Sequence, residues 1–176
     1  MAYKTNTVLP KKIYWILLFS LVALLYSGCE KDDICVDGDT PLLVIRFYDA
    51  ENAEEFKSVP SLRIIGLEQG NPVNTITDRS SPDSVGIPLR INEPNTTFLL
   101  IVDSADEDDV ETGNADTLTF NYETKEVFVS RACGFVANYE TLSEELTTGS
   151  GNWIQNIEII SSLVQTQDSA HVKIFH

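Results

Sequence analysis

The sequence predicts an all-β protein, a two-sheet sandwich of about eight or nine strands. Apolar residues recur at every second position in short segments, and turn-forming residues separate these segments. No segment of the domain has the 3.6-residue period of an amphipathic helix. The strand segments fill residues 42–176, which are long enough for a single domain with its own core.

The first half of the domain contains four predicted strands, at residues 42–48, 62–67, 85–91 and 98–102. The first is apolar on both faces except at Arg46, which is typical of a central strand. The third alternates apolar and polar residues, and its Pro88 predicts an edge or a bulge. In strand order alone, these four strands resemble immunoglobulin-like or prealbumin-like modules, so we expect a sandwich of one of these two kinds.

The second half contains five predicted strands, at residues 118–122, 127–131, 135–141, 153–160 and 171–175. The alternation of the first of these stops at Glu123 and Thr124, which predicts a hairpin turn there. Alternation also predicts that most aromatic side chains lie in the core, although they could instead line a sugar-binding face. These are Phe47, Tyr48, Phe98, Phe120, Tyr122, Phe128, Phe135, Tyr139 and Trp153.

Residues 1–28 have the layout of a secretory signal peptide. Three lysines precede an apolar run from Ile13 to Gly28. A membrane-spanning helix needs about 20 apolar residues, and this run is shorter and lacks a basic stop-transfer cluster. We therefore predict a cleaved signal; the alternative is an uncleaved anchor. Residues 29–41 then form an acidic tether to the domain.

The segment Ser27-Gly28-Cys29 resembles the lipobox of bacterial lipoproteins, although Tyr26 stands where leucine is usual. The resemblance implies that Cys29 is diacylated, becomes the new amino terminus and anchors the protein in outer-membrane lipid. The next four residues, Glu30, Lys31, Asp32 and Asp33, resemble the surface-export signal of Bacteroidota lipoproteins. They imply a lipid-anchored protein of the bacterial outer membrane that faces outward; the alternative is a solvated acidic linker.

The charge of the chain excludes some partners. Loss of residues 1–28, which carry three lysines and no acids, would change the formal net charge from −15 to −18. This balance argues against nucleic acid and against direct adsorption to anionic lipid. It favours solubility, and a basic partner or cations.

If Cys29 carries lipid, only Cys35 and Cys133 keep free thiols, in a compartment that permits disulfides. We predict that these two cysteines form a disulfide and close a loop of about 100 residues. Chain-entropy estimates give about 4.7 kcal/mol as the upper value of the stabilisation from such a loop. Two unpaired buried cysteines are the alternative.

Six segments together resemble an uncharacterised family of small Bacteroidota outer-membrane lipoproteins. They are residues 29–35, 45–49, 116–122, 129–134, 153–155 and 171–176. The resemblance spans the whole mature chain and implies a single small domain at the outer membrane. It supplies no catalytic residue, and we expect no cofactor.

Candidate sites for chemistry are few. The acidic run of residues 103–116 could offer calcium ligands from Asp106, Asp108 and Asp109, but its spacing is not that of an EF-hand, and a solvated hairpin tip is the simpler interpretation. The two histidines lack the cluster that a metal site requires, so we expect no metal centre. No Gly-x-Ser-x-Gly motif is present.

Four segments follow an Asp-Ser/Thr-apolar pattern that resembles the acceptor of Bacteroidota O-glycosylation. Their hydroxyl residues are Ser84, Ser104, Thr117 and Ser169. Ordinary turn chemistry of Asp and Ser is the alternative. The pattern favours an exposed loop residue such as Ser104 over a strand residue.

Two functions fit these observations. The first is a non-catalytic accessory or binding subunit at the cell surface, held by lipid and adjacent to an integral outer-membrane β-barrel protein. The second is a cell-surface glycan-active enzyme whose paired carboxylates a single sequence does not reveal. We expect no enzymatic activity.

Overall fold

The computed structural model describes residues 12, 13, 15, 35, 38–108 and 110–176. The chain divides into two units, Met1–Ile34 and Cys35–His176. The predicted lipidation site Cys29, the export residues 30–33 and the calcium candidate Asp109 lie outside the described residues. Of the residues described, none belongs to a helix long and apolar enough to cross a bilayer.

The described part of the second unit is all-β, which confirms the predicted fold class. In chain order the strands are β1 (Leu43–Tyr48), β2 (Arg63–Gly66), β3 (Asn71–Pro72), β4 (Ser84–Ile87), β5 (Asn95–Val102), β6 (Asp106–Glu107), β7 (Val110–Glu111), β8 (Asn114–Ser130), β9 (Gly134–Leu146), β10 (Asn156–Ile159) and β11 (Val172–Phe175).

Two sheets form the sandwich. The first has the strand order β10-β11-β1-β4, in which β1 pairs in parallel with β11 and antiparallel with β4. The second is antiparallel, with the order β3-β2-β5-β8-β9. As predicted, β1 is a central strand and β4, which ends just before Pro88, is an edge strand. The short strands β6 and β7 pair only with each other within the described residues.

The core lies between the sheets. Strand β1 buries alternate residues, Leu43, Ile45 and Phe47, and keeps Arg46 on its outer face. From the second sheet, Ile64, Phe98, Leu100, Leu118, Phe120 and Tyr139 join the same cluster. This double layer of alternating strands is what the sequence pattern predicts for a sandwich.

The predicted hairpin at Glu123 and Thr124 is wrong. Strand β8 continues through both residues to Ser130, and the turn lies at residues 131–133. Glu123, Lys125 and Glu126 are exposed in this part of the strand. The apolar alternation therefore stops where β8 leaves the core, although the strand itself continues.

Strand β9 also passes the predicted end at Thr141, because a β-bulge shifts its register there. The pairing moves from Asn121 opposite Ser143 to Glu123 opposite Glu140, and Thr141 has a φ of 56°. The bulge lets both Leu142 and Tyr139 face the core although they are an odd number of residues apart.

Candidate functional site

The long β8–β9 hairpin ends in a turn that a disulfide holds. Ser130 Oγ accepts a hydrogen bond of 3.0 Å from the Cys133 amide, and Gly134 adopts a φ of 73° that favours glycine. Cys133 is bonded to Cys35, with 4.9 Å between their Cα atoms. The predicted pairing is thus present, and it joins the start of the domain to the tip of this hairpin.

The residues after Cys35 fit closely against the disulfide. A Cβ atom on Gly38 would lie 2.8 Å from the Cys133 sulfur and closer still to the Cys35 sulfur, so only glycine fits at this position. Two residues later, Thr40 Oγ1 accepts a hydrogen bond of 3.3 Å from the Ala137 amide of β9. This segment is therefore attached to the hairpin before it enters β1.

Two aromatic residues are exposed beside the disulfide. Phe128 and Phe135 face each other across β8 and β9, and their rings meet edge to face with centroids 5.3 Å apart. Phe128 is 56% exposed and Phe135 is 66% exposed, so the predicted core position is wrong for both. Phe135 shares its face of β9 with Ala137 and Tyr139, which are buried, so the apolar face of the hairpin extends beyond the core.

The base of the hairpin is anchored by a pair of buried tyrosines. Tyr139 donates a hydrogen bond of 3.0 Å to the Leu89 carbonyl, and its ring meets that of Tyr122 edge to face at 5.0 Å. Tyr122 donates to the Arg90 carbonyl at 2.8 Å and lies 2.6 Å from the Thr96 hydroxyl. Burial, with a smaller contribution from Tyr122, raises the pKa of Tyr139 to about 12.

The acidic segment of residues 103–116 is engaged with two arginines. Arg79 contacts Asp106 at 2.5 Å, and Arg63 contacts Glu111 at 3.0 Å. Ser104 Oγ receives a hydrogen bond from Arg79 and donates one to Glu111, both of 2.9 Å. The two arginines thus neutralise carboxylates that the sequence alone leaves as candidate ligands or catalytic groups.

The same network changes the ionisation of Glu111. Burial raises the pKa of this carboxyl group, but hydrogen bonds from Arg63, the Gly113 amide, Ser104 and Arg79 outweigh that effect and lower it to about 2. The carboxylate is therefore retained well into the acidic range.

We expect the Glu111→Gln variant to be about 2 kcal/mol less stable than the wild type at neutral pH, because it loses charge-assisted hydrogen bonds. Since the pKa of Glu111 is lower in the folded state, its stabilising contribution is present above pH 4.5 and is lost as the pH falls toward about 2. Urea unfolding at several pH values should show that the difference between wild type and variant shrinks over this range. The exposed neighbour Glu107 provides the control, and an equal loss in Glu107→Gln would contradict the assignment.

The structure separates the four candidate glycosylation residues. Ser104 is only 4% exposed and its hydroxyl is engaged as described, so its prediction as an exposed loop site is wrong. Ser84 and Thr117 are half-buried in strands, and the Ser84 hydroxyl donates to the Ile45 carbonyl at 3.1 Å. Ser169 is exposed in the loop before β11.

The described carboxylates and histidines form no evident metal centre. No group of three or more His, Cys, Asp or Glu side chains converges within the described ranges. His171 is buried and its Nδ1 accepts a hydrogen bond of 3.1 Å from the Val44 amide. His176 donates through Nε2 to the Lys57 carbonyl at 3.2 Å. Both histidines therefore contact backbone at the junction of β1 with the end of the chain.

The outer face of the first sheet combines aromatic and cationic side chains. The Arg46 guanidinium lies 4.5 Å from the centre of the Phe56 ring, and Lys173 Nζ lies 5.3 Å from that of Tyr48. Tyr48 also contacts Phe56 and Phe175. The aromatic faces are thus occupied by the protein's own cations.

A polar cleft of about 200 Å³ lies between the start of β8 and the loop of residues 147–152. Asn114 donates a hydrogen bond of 2.8 Å to the Gly151 carbonyl across it. Asp116 is buried there and accepts a hydrogen bond of 2.9 Å from the Ile154 amide. This carboxylate orders the loop that leads into β10.

Two features of these sites do not follow from the sequence pattern. The exposed pair Phe128 and Phe135 follows the same alternation as the core, and the role of Arg63 and Arg79 depends on contacts between distant segments. A signal for the first was available, because the charged residues 123–126 separate the aromatic pair from the preceding core positions.

Residues 61–176, well over half of the chain, match a family of unknown function (DUF6452). The chain matches no curated protein and no solved structure, so the likeness to immunoglobulin-like or prealbumin-like modules stays a prediction. The match begins after β1, although β1 lies in the middle of the first sheet, so the folded domain extends before the matched residues. The chain belongs to this family of unknown function, DUF6452.

Proposed function

We propose that this protein is a surface-exposed lipoprotein of the Bacteroidota outer membrane, a non-catalytic accessory subunit that contacts an integral membrane protein. Residues 1–28 would be its signal peptide and the acylated Cys29 its anchor. The proposal rests on the lipobox and export resemblances in the sequence, together with one structural observation, the disulfide between Cys35 and Cys133.

The disulfide supports this role because it limits how far the domain can move from its anchor. Five residues separate Cys29 from Cys35. Since an extended residue spans at most about 3.6 Å, the tether reaches roughly 20 Å. A domain held this close suits lateral contact with a membrane protein better than capture of distant ligands, and the high effective concentration compensates for a modest interface.

The ionisable groups also favour a binding role. Asp106 and Glu111 are paired with arginines, while Asp116 and the two histidines bond to backbone groups. The net charge of −18 expected for the mature chain favours a partner with basic extracellular loops.

We expect Cys29→Ala to abolish membrane attachment, because the acyl chains supply the binding free energy, at about 0.8 kcal/mol per buried methylene group. Membrane fractionation should find the wild type in the outer membrane and the variant in the soluble or unprocessed fraction. Mass spectrometry should find the lipid on Cys29. Equal outer-membrane attachment of both proteins would refute the anchor.

Surface exposure and the partner are tested separately. Protease added to intact cells should digest the wild-type domain, and protection until lysis would refute an outward orientation.

Crosslinking in intact cells, followed by mass spectrometry, should recover one specific membrane protein. Recovery of none, together with turnover of a glycan by the purified protein, would favour the enzyme instead.

A further inference from the structure

We propose that the tip of the β8–β9 hairpin inserts into the membrane interface beside the lipid anchor. This hairpin tip comprises residues 128–135, with Phe128, Val129 and Phe135 as its exposed apolar residues. The inference rests on the proposed lipidation of Cys29, and goes beyond it by naming the surface of the domain that meets lipid.

The disulfide places the hairpin tip within reach of the bilayer. Cys133 lies in the turn and is bonded to Cys35, whose distance from Cys29 is at most roughly 20 Å along the extended chain. The acyl chains on Cys29 would begin at the membrane interface. The covalent path from the anchor to the tip therefore consists of five residues and one disulfide.

The exposed side chains of the tip suit an interface rather than water. Phe128 and Phe135 form an aromatic pair on the extension of the core face, and Val129 is also exposed. Arg131 is exposed at the turn, where its guanidinium could meet lipid phosphate. An exposed pair of aromatic rings in contact with each other at the end of a hairpin is a candidate binding surface.

The charge distribution limits insertion to the tip. Glu123, Lys125 and Glu126 are exposed on β8 before the aromatic pair, and moving these charged groups into the hydrocarbon would be unfavourable. The strong negative charge of the domain also opposes flat adsorption on anionic lipid. An orientation with the hairpin pointing toward the bilayer exposes Phe128 and Phe135 to lipid and leaves these charges in water.

Phe56 provides a matched comparison. It is 54% exposed, much like Phe128, but its ring lies under the Arg46 guanidinium on the first sheet. No short covalent connection holds Phe56 near Cys29. Exposure of an aromatic ring is thus common to both positions, whereas tethering to the anchor is specific to the hairpin tip.

The experiment uses the mature lipidated protein, residues 29–176, in phosphatidylcholine vesicles whose acyl chains carry bromine. We expect the emission of a Phe128→Trp variant to shift to shorter wavelength and to fall by about half relative to vesicles without bromine. The reason is that an interfacial apolar side chain is buried about 5–10 Å into the boundary between headgroups and acyl chains. A Phe56→Trp variant should instead be quenched by acrylamide in water. Trp153 contributes the same background to both variants and to the wild type.

Flotation separates the failure of this inference from that of the anchor. If the lipidated protein floats with the vesicles but Phe128→Trp is not quenched by bromine, insertion is refuted and the anchor stands. Protection of the same indole from both quenchers also refutes it, in favour of contact between two copies. Failure to float, with no lipid on Cys29, refutes both proposals. Phe135→Trp is the second variant, with the same expected result.

Discussion

A Cys133→Ser variant should lose about 3–4 kcal/mol of the free energy of unfolding. The disulfide joins residues that are 98 positions apart. For a loop of about 100 residues, chain-entropy estimates give a stabilisation of about 4.7 kcal/mol, and measured values are usually smaller. Chemical denaturation of the oxidised wild type and the variant measures the difference. The effect is large because this bond constrains most of the domain in the unfolded state.

The loss should have a local signature as well. Between Tyr139 and its tip, the hairpin has few buried side chains. There, Gly38 packs against the disulfide and Thr40 accepts a hydrogen bond from the Ala137 amide. We therefore expect faster amide hydrogen exchange in residues 127–136 of the variant, while β1 and β5 stay protected.

The double variant Cys35→Ser/Cys133→Ser is the control for a free thiol. Its stability should equal that of the single variant, because both lack the same bond. Unfolding of the wild type at the same denaturant concentration as both variants would contradict a stabilising disulfide. In cells the lipid-anchored variant should keep its membrane attachment. Its tether would then extend from Cys29 toward the start of β1 instead of ending at Cys35, so its reach would roughly double.

The sandwich was predictable from the sequence because alternation reports burial directly. Residues 118–122 alternate so regularly that the strand and its inner face both follow from the pattern. Residues 43–48 are apolar on both faces except at Arg46, so the pattern identifies a central strand but not its inner face. The turn between β8 and β9 was not, because exposed charges at residues 123–126 interrupt the alternation within a continuous strand. Pattern alone does not distinguish a strand that leaves the core from a chain that turns.

The candidate site was predictable where it depends on local or covalent chemistry. The pairing of Cys35 with Cys133 follows from the cysteine count once Cys29 is assigned to lipid. The burial of Ser104 was not predictable, since it requires Arg79 and Glu111 to converge on its hydroxyl from other parts of the chain. The exposure of Phe135 likewise depends on where the opposite sheet ends.

The second large effect is expected at Tyr139 in β9. This side chain is fully buried, and its hydroxyl donates a hydrogen bond to the Leu89 carbonyl. Replacement by alanine should cost about 3–5 kcal/mol, because it leaves a cavity between the sheets and removes the contact with Tyr122. Tyr139→Phe keeps the ring but leaves the Leu89 carbonyl without its donor, which should cost about 1–3 kcal/mol.

The pH dependence distinguishes the hydroxyl from the ring. Burial raises the pKa of Tyr139 to about 12 in the folded state, against about 10 for an unfolded tyrosine. The preference for the neutral phenol therefore stabilises the fold below pH 10, and this contribution is lost as the pH rises from 10 toward 12.

Tyr139→Phe should show a weaker fall in stability over that range, measured by urea unfolding, while Tyr48→Phe on the outer face should follow the wild type. An alkaline slope in Tyr139→Phe as steep as in the wild type would mean that this buried phenol does not control the loss of the fold. A reduced slope would identify the Tyr139 hydroxyl, at the base of the hairpin, as a group whose ionisation destabilises the fold.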